Sequence, residues 1–209
     1  MASPDTIGDE LIRLAAVMAR LRRECPWDGK QTHRSLVPYL VEEAGEVVDA
    51  IEAGSDDDLR EELGDLLLQV YFHAAIADEA GRFDIDDVAA SIADKLVRRH
   101  PHVFAGESVP DDMRATWEAS KRAEKGRRSS LDGIPVSIDP ITRASKVVSR
   151  ARSHGVGLRL PDEPISADDA GDALVALVAR AQASGVDAAQ AARDAVRRLE
   201  QAVSDAEAS

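Results

Sequence analysis

The amino-acid sequence predicts an all-α protein, and three observations support this prediction. Apolar residues recur every three or four positions through most of the chain, which is the periodicity of an amphipathic helix. The sequence shows no convincing alternation with a period of two, the pattern of a half-buried strand. Aromatic residues make up only 3% of the chain, and helix-forming residues outweigh strand-forming ones.

The first half of the chain contains four segments with helical periodicity, each with recognisable start or stop residues. They are predicted at residues 7–23, 35–53, 56–80 and 84–99. Gly54 and Gly81 follow the second and third segments, and glycine commonly ends a helix. Ser55 precedes the third segment with good N-cap chemistry, and Pro101 ends the fourth.

The second half of the chain repeats this organisation after a turn-rich linker. Pro110 opens a predicted helix at 111–125, and the basic linker "GRRSSLDGIP" follows it. Further helices are predicted at 140–154, 166–184 and 187–203. Residues 167–200 weakly echo residues 60–99, although coincidence among Ala-rich helices would also explain the similarity.

The charge and cysteine content exclude several classes of function. The formal net charge of −13 argues against binding to nucleic acid or to an anionic membrane, because both attract Lys and Arg. Cys25 is the single cysteine, which excludes an internal disulfide and any zinc site built from several cysteines. A reducing, cytoplasmic location is therefore expected. The first residues lack the features of a signal peptide, and no apolar run approaches the roughly 20 residues of a membrane span.

Two pairs of acidic residues stand out within the acidic stretch 42–65. Glu43 and Glu46 lie one turn apart beside the apolar face of the second predicted helix. Glu62 and Asp65 have the same spacing at the start of the third, where the following residues are apolar on nearly every side. Because a short turn joins the two helices, they are expected to run antiparallel and to bring both pairs together.

Four converging carboxylates repel each other, and a divalent cation relieves the repulsion. A set of oxygen ligands alone favours Mg²⁺ or Mn²⁺, and a solvated acidic face is the alternative interpretation. A di-iron centre requires Glu-x-x-His, which neither pair provides. A zinc hydrolase requires clustered His or Cys ligands, and the five histidines show no such clustering. They are His33, His73, His100, His102 and His154.

The spacing of these acids, with the segments around them, resembles a known family. "EEAGE" is followed after fifteen residues by "ELGD", which matches the EExxE…ExxD signature of the all-α nucleoside triphosphate pyrophosphohydrolases. Five blocks in order narrow the resemblance to the MazG family over roughly residues 10 to 155. They are "CPWDGKQTHRSLVPYLVEEAGEVVDAI", "LREELGDLLLQVYFHA", "KLVRRHPHVF", "WEASKRAEK" and "LDGIP".

The resemblance implies an activity and a set of site residues. The activity is Mg²⁺-dependent hydrolysis of nucleoside triphosphates to monophosphate and pyrophosphate, on an antiparallel helical bundle completed by homodimerisation. The implied metal ligands are Glu43, Glu46, Glu62 and Asp65, and Glu42 would orient a water or a ligand. The residues implied to bind phosphate and nucleotide are Lys95, Arg98, Arg99, Trp117 and Lys121.

The sequence departs from the family pattern in its C-terminal part. Members of full length carry two modules, whereas this chain resembles the first module followed by a shrunken second one. We therefore predict a catalytic module at 1–130, a linker and helix at 131–160, and a degenerate helical hairpin at 161–209. The alternative function is a non-catalytic protein of the same fold that senses nucleotides.

Overall fold

The computed structural model describes residues 8–110, 112, 113, 116, 117, 124 and 129–208. It divides the chain into two units, Met1–Glu107 and Ser108–Ser209. The α-helices of the first unit are α1 (Asp9–Glu24), α2 (Val37–Ala53), α3 (Asp56–Glu79), α4 (Ile85–Arg99) and the short α5 (Pro101–Phe104). Those of the second are α6 (Pro140–Ser153), α7 (Ala167–Ala183) and α8 (Ala188–Glu207). No strand occurs among the described residues, so the all-α prediction is confirmed.

Each helix predicted within the described residues is present, and most ends agree within two residues. The last helix is longer than predicted, and the carboxylate of Glu207 in its final turn accepts a 2.7 Å hydrogen bond from the backbone N–H of Ser130. Helix α5 and a 3₁₀ helix at Asp28–Lys30 were not predicted, since both are too short for helical periodicity to reveal. The helix predicted at 111–125 lies largely outside the described residues.

Helix α3 is the central element of the first unit, and α1, α2 and α4 each pack against it. The buried core consists of Met18, Leu36, Tyr71 and Phe72. The hydroxyl of Tyr71 also donates a 3.2 Å hydrogen bond to the backbone carbonyl of Leu11. The apolar second half of α3 is therefore held between its neighbours, which fixes the position of its acidic first half.

Arg22 joins the ends of α1 and α3. Its Nε donates to the Glu79 carboxylate at 2.8 Å and its Nη2 at 2.5 Å, while Nη1 donates to the carbonyls of Asp28 and Gln31. The Arg22 side chain is only 6% exposed, so its charge is paired inside the unit.

A histidine pair connects the segment before α2 to α3. The Nδ1 atoms of His33 and His73 lie 2.8 Å apart and the rings stack. A guanidinium nitrogen of Arg82 lies 2.6 Å from the Nε2 atom of His33. Arginine can only donate, so Nε2 of His33 is the acceptor and its Nδ1–H donates to His73. This network fixes the start of α2 against α3.

In the second unit, α6 packs against α8. Their shared core contains Ile134, Val147, Ala151 and Val203. An ion pair of 2.6 Å between Arg143 and Glu200 lies beside it. The predicted linker helix and the last helix thus form one packed structure, while the division of the sequence into three modules stays a prediction.

Helix α7 is less well covered than α6 or α8, and none of its residues is buried. Its large apolar side chains are between 43% and 70% exposed, and they are Leu174, Val175, Leu177 and Val178. No described helix combines the length and the apolar character needed to cross a membrane.

Candidate metal centre

The candidate site lies on the hairpin formed by α2 and α3. Gly54 ends α2, and Ser55 caps α3 by accepting a hydrogen bond from the backbone N–H of Asp58. The carboxylate of Asp58 accepts in return from the backbone N–H of Ser55 at 2.7 Å, which completes a capping box. This short, capped connection turns α3 back along α2, so acids on the two helices come to face each other.

Three of the predicted ligands converge on this hairpin. Glu43 of α2 and Glu62 and Asp65 of α3 each provide a carboxylate oxygen within 4.8 Å of the other two. We call these three residues the acidic cluster. The spacing predicted from the sequence therefore produces the expected geometry for Glu43, Glu62 and Asp65.

The cluster raises the pKa of two of its own members. Burial, followed by the negative charges of Asp65 and Glu46, raises the pKa of Glu43 above its ordinary value. Burial, followed by the charges of Glu46 and Asp65, raises the pKa of Glu62 in the same direction. These carboxyls are half-buried beside other carboxyls, and this environment disfavours their ionised form.

Glu46 and Glu42 lie at the edge of the acidic cluster. Glu46 is exposed and stands outside the group of three, yet its negative charge contributes to the raised pKa of both Glu43 and Glu62. Glu42 is exposed and contributes least to the shift at Glu43. The fourth predicted ligand is therefore adjacent to the cluster, and Glu42 is peripheral.

This set of side chains suits a hard divalent cation. Carboxylates supply oxygen ligands, and no histidine or cysteine belongs to the cluster. A bound cation would compensate the repulsion that raises the pKa of Glu43 and Glu62. The residues therefore fit Mg²⁺ or Mn²⁺, which Glu43, Glu62 and Asp65 would hold with Glu46 beside them.

The predicted phosphate-binding and nucleotide-binding residues lie elsewhere. Lys95, Arg98 and Arg99 share the last turns of α4, the helix that follows α3. Trp117 belongs to the second unit, and Lys121 lies outside the described residues.

Sequence reasoning missed Gln69, which lies one turn beyond Asp65 on α3. Gln69 is 4% exposed, and its side-chain oxygen is buried with no hydrogen-bond partner in the described part of the chain. The signal that could have revealed it is a lone amide inside the apolar run "LLLQVYF". Such a residue requires a polar partner when it is buried.

The second acidic pair, Asp169 and Asp172, has a different environment. Asp169 is the third residue of α7, and its carboxylate accepts a 2.7 Å hydrogen bond from the hydroxyl of the N-cap residue Ser166. The preceding residues, 156–166, are not helical, and within the described part of the chain neither acid belongs to a group of three candidate metal ligands.

A known protein family matches the part of the chain that contains the acidic cluster. The sequence model of this family, the MazG nucleotide pyrophosphohydrolase domain, matches residues 31–104, which include α2, α3 and α4. An uncharacterised 26.1 kDa protein of Streptomyces cacaoi is 46% identical over 95% of this chain and 86% of its own length.

Two relatives are named nucleoside triphosphate pyrophosphohydrolases. The Mycobacterium tuberculosis protein is 46% identical over 82% of this chain and 54% of its own length. The Escherichia coli K12 protein is 48% identical over 70% of this chain and 59% of its own length. The chain therefore spans little more than half of each of these two relatives.

Proposed function

The chain belongs to the MazG family, and on that basis we propose that it hydrolyses nucleoside and deoxynucleoside triphosphates between the α and β phosphates. The products are a nucleoside monophosphate and pyrophosphate, and removal of unwanted nucleotides from the pool is the proposed role. The observation that carries the proposal is the convergence of Glu43, Glu62 and Asp65 inside the matched segment.

We assign the cation to Mg²⁺, with Mn²⁺ as an alternative. When bound, such a cation polarises phosphate oxygens and makes a bound water more acidic. Glu43, Glu46, Glu62 and Asp65 would hold it, and Glu42 would orient the attacking water. Their location on two helices that pack against each other supports this assignment, because a catalytic group must be held in position before the substrate arrives.

The remaining residues have roles in binding the substrate. Lys95, Arg98 and Arg99 would bind the phosphate oxygens, because guanidinium and ammonium groups donate to them strongly. The resemblance gives Trp117 and Lys121 contacts with the nucleotide.

We also propose that the protein is a cytoplasmic homodimer. Exposed apolar residues on two helices support the dimer, since a second copy would remove them from water. They include Val41, Val48 and Ile51 on α2, and Leu174, Val175, Leu177 and Val178 on α7. The single cysteine is consistent with a reducing compartment. Sedimentation equilibrium would reveal the dimer as twice the 22.4 kDa mass of one chain.

The experiment that tests the function is a product analysis across canonical and oxidised nucleoside and deoxynucleoside triphosphates. Anion-exchange chromatography should find equal amounts of monophosphate and pyrophosphate, released only with Mg²⁺ or Mn²⁺. The Glu62→Ala variant, purified in parallel, controls for contaminating phosphatases. Diphosphate and orthophosphate as products would contradict the proposed bond cleavage. Nucleotide binding without turnover would instead favour the non-catalytic sensor.

A further inference from the structure

Gln69 occupies an unusual position between the acidic cluster and the core. Along one face of α3, Glu62, Asp65, Gln69 and Phe72 follow each other at spacings of three and four residues. The first two belong to the acidic cluster, and Phe72 belongs to the buried core. With a rise of 1.5 Å per residue, Gln69 lies about 6 Å along the axis beyond Asp65.

The buried amide is costly for the protein in its present state. Gln69 is only 4% exposed, and its side-chain carbonyl oxygen has no hydrogen-bond donor among the described residues. An unpaired buried polar group destabilises a fold, because the group has lost its hydrogen bonds to water and gained none in the protein. Methionine or leucine would fill a similar volume without this cost.

When the neighbouring acids are ionised, they supply no donor, because carboxylates only accept hydrogen bonds and the oxygen of Gln69 is an acceptor as well. A ligand that carries donors and binds at the acidic cluster would supply one. A magnesium ion retains several of its waters when it binds to protein carboxylates, and these waters are donors.

We propose that Gln69 is a positioning residue for the metal centre, whose side-chain oxygen accepts a hydrogen bond from a water of the bound cation. The inference rests on the proposed function, because it requires the cation at Glu43, Glu62 and Asp65. Groups that hold metal ligands and metal-bound waters in orientation typically change metal affinity or activity by about 10-fold to 100-fold when they are removed.

The test measures Mg²⁺ binding through the melting temperature, without substrate. The melting temperatures of the wild type, Gln69→Met and Gln69→Glu are recorded from EDTA through increasing MgCl₂, and each titration gives a half-saturating concentration. Leu68→Met is the matched control, because it alters packing on the adjacent, half-buried position without removing a polar group.

The proposal predicts opposite effects of Gln69→Met on the free and the metal-bound protein. Without metal, Gln69→Met should melt at or above the wild-type temperature, because the unpaired oxygen is gone. Its half-saturating Mg²⁺ concentration should rise by about 10-fold to 100-fold. Gln69→Glu retains an acceptor and should bind Mg²⁺ at least as tightly as the wild type, although the added charge lowers its stability in EDTA.

The same titrations can overturn the proposal. The half-saturating Mg²⁺ concentration decides. If it rises by less than about fivefold in Gln69→Met, or rises equally in Leu68→Met, then Gln69 only fills space. If Gln69→Met does not fold, Gln69→Leu replaces it with the same expected rise. Loss of the Mg²⁺ response in a folded Gln69→Glu would also contradict the proposal.

A failure of the proposed function would look different. In that case the wild type itself would not respond to Mg²⁺, or its response would survive in Glu62→Gln. If the wild type responds to Mg²⁺ and Glu62→Gln does not, then a wild-type half-saturating Mg²⁺ concentration in Gln69→Met refutes only the role of Gln69.

Discussion

Helices α3 and α7 begin alike, but only α3 contributes to an acidic cluster. Each has a serine N-cap that accepts from the backbone N–H of an aspartate three residues later, Asp58 in α3 and Asp169 in α7. Each also carries two acids at a spacing of three residues. The helix before α3 supplies Glu43, whereas residues 156–166 before α7 are not helical. A pair of acids on one helix is therefore not a cation site until a second helix faces it.

The position of each acid along its helix adds to this difference. Glu62 lies in the second turn of α3, beyond the capping box, so its carboxylate is directed to other partners. Asp169 lies in the first turn of α7 and its carboxylate accepts from Ser166. In the alignment of the internal repeat Asp169 corresponds to Glu62, but by position in its helix it corresponds to Asp58.

The largest expected effect distinguishes the two helices by activity. Glu62→Ala or Asp65→Ala should lower pyrophosphate release by at least about 10³-fold, because loss of the cation removes several kcal/mol of transition-state stabilisation. Circular dichroism should show an unchanged helix content, since the packing of α3 depends on its apolar second half. Release close to the wild-type rate from either folded variant would remove the acidic cluster from the mechanism.

The second effect concerns stabilisation by the cation. At 100 times its dissociation constant, Mg²⁺ should stabilise the wild type by about 2.7 kcal/mol, which a rise in melting temperature reports. Glu43→Gln/Glu46→Gln should lose this rise, because it removes the acids of α2. Asp168→Asn/Asp172→Asn removes the same number of negative charges from α7 and serves as the charge-matched control. An equal Mg²⁺ response in the double variant would locate the cation elsewhere.

A smaller effect follows from the raised pKa of Glu43 and Glu62. Above the ordinary carboxyl pKa, the folded chain holds more protons than the unfolded chain, so the free energy of unfolding falls as the pH rises through this window. In EDTA, Glu43→Gln/Glu62→Gln should show a weaker fall than the wild type. Urea denaturation between about pH 4.5 and pH 7 measures this difference. If the free energy of unfolding depends on pH in the same way in both proteins, then the pKa values of these carboxyls are not raised by folding.

The smallest effect is expected at α7. Asp169→Asn/Asp172→Asn should leave turnover within a few-fold of the wild type, because among the described residues these acids belong to no group of three candidate ligands. Its stability should fall by no more than about 1 kcal/mol, the size of a weakened N-cap. A folded but inactive double variant would mean that the second unit contains a working site.

The helices and the meeting of the acids were predictable from local information. Helical periodicity and cap residues located α2 and α3, and the short turn at Gly54 and Ser55 implied that they run antiparallel. The convergence of Glu43, Glu62 and Asp65 follows from these facts.

Other features depend on tertiary contacts that local patterns do not encode. His33 and His73 are 40 residues apart, and only the packed structure brings their rings together. The missing partner of Gln69 is likewise visible only when every neighbouring donor is located. The pattern Ser-x-x-Asp at Ser166 and Asp169 could have predicted the capping role of Asp169. The internal repeat instead aligned Asp169 with Glu62.

The most direct test of the central claim is a count of bound Mn²⁺ ions by electron paramagnetic resonance. Three folded proteins are compared at equal concentration: the wild type, Glu62→Gln/Asp65→Asn and Asp169→Asn/Asp172→Asn. The first double variant should lose the tightly bound Mn²⁺ of the wild type, while the second should retain all of it. If Glu62→Gln/Asp65→Asn retains the bound Mn²⁺ and Asp169→Asn/Asp172→Asn loses it, the assignment of the metal centre to the α2–α3 hairpin is wrong.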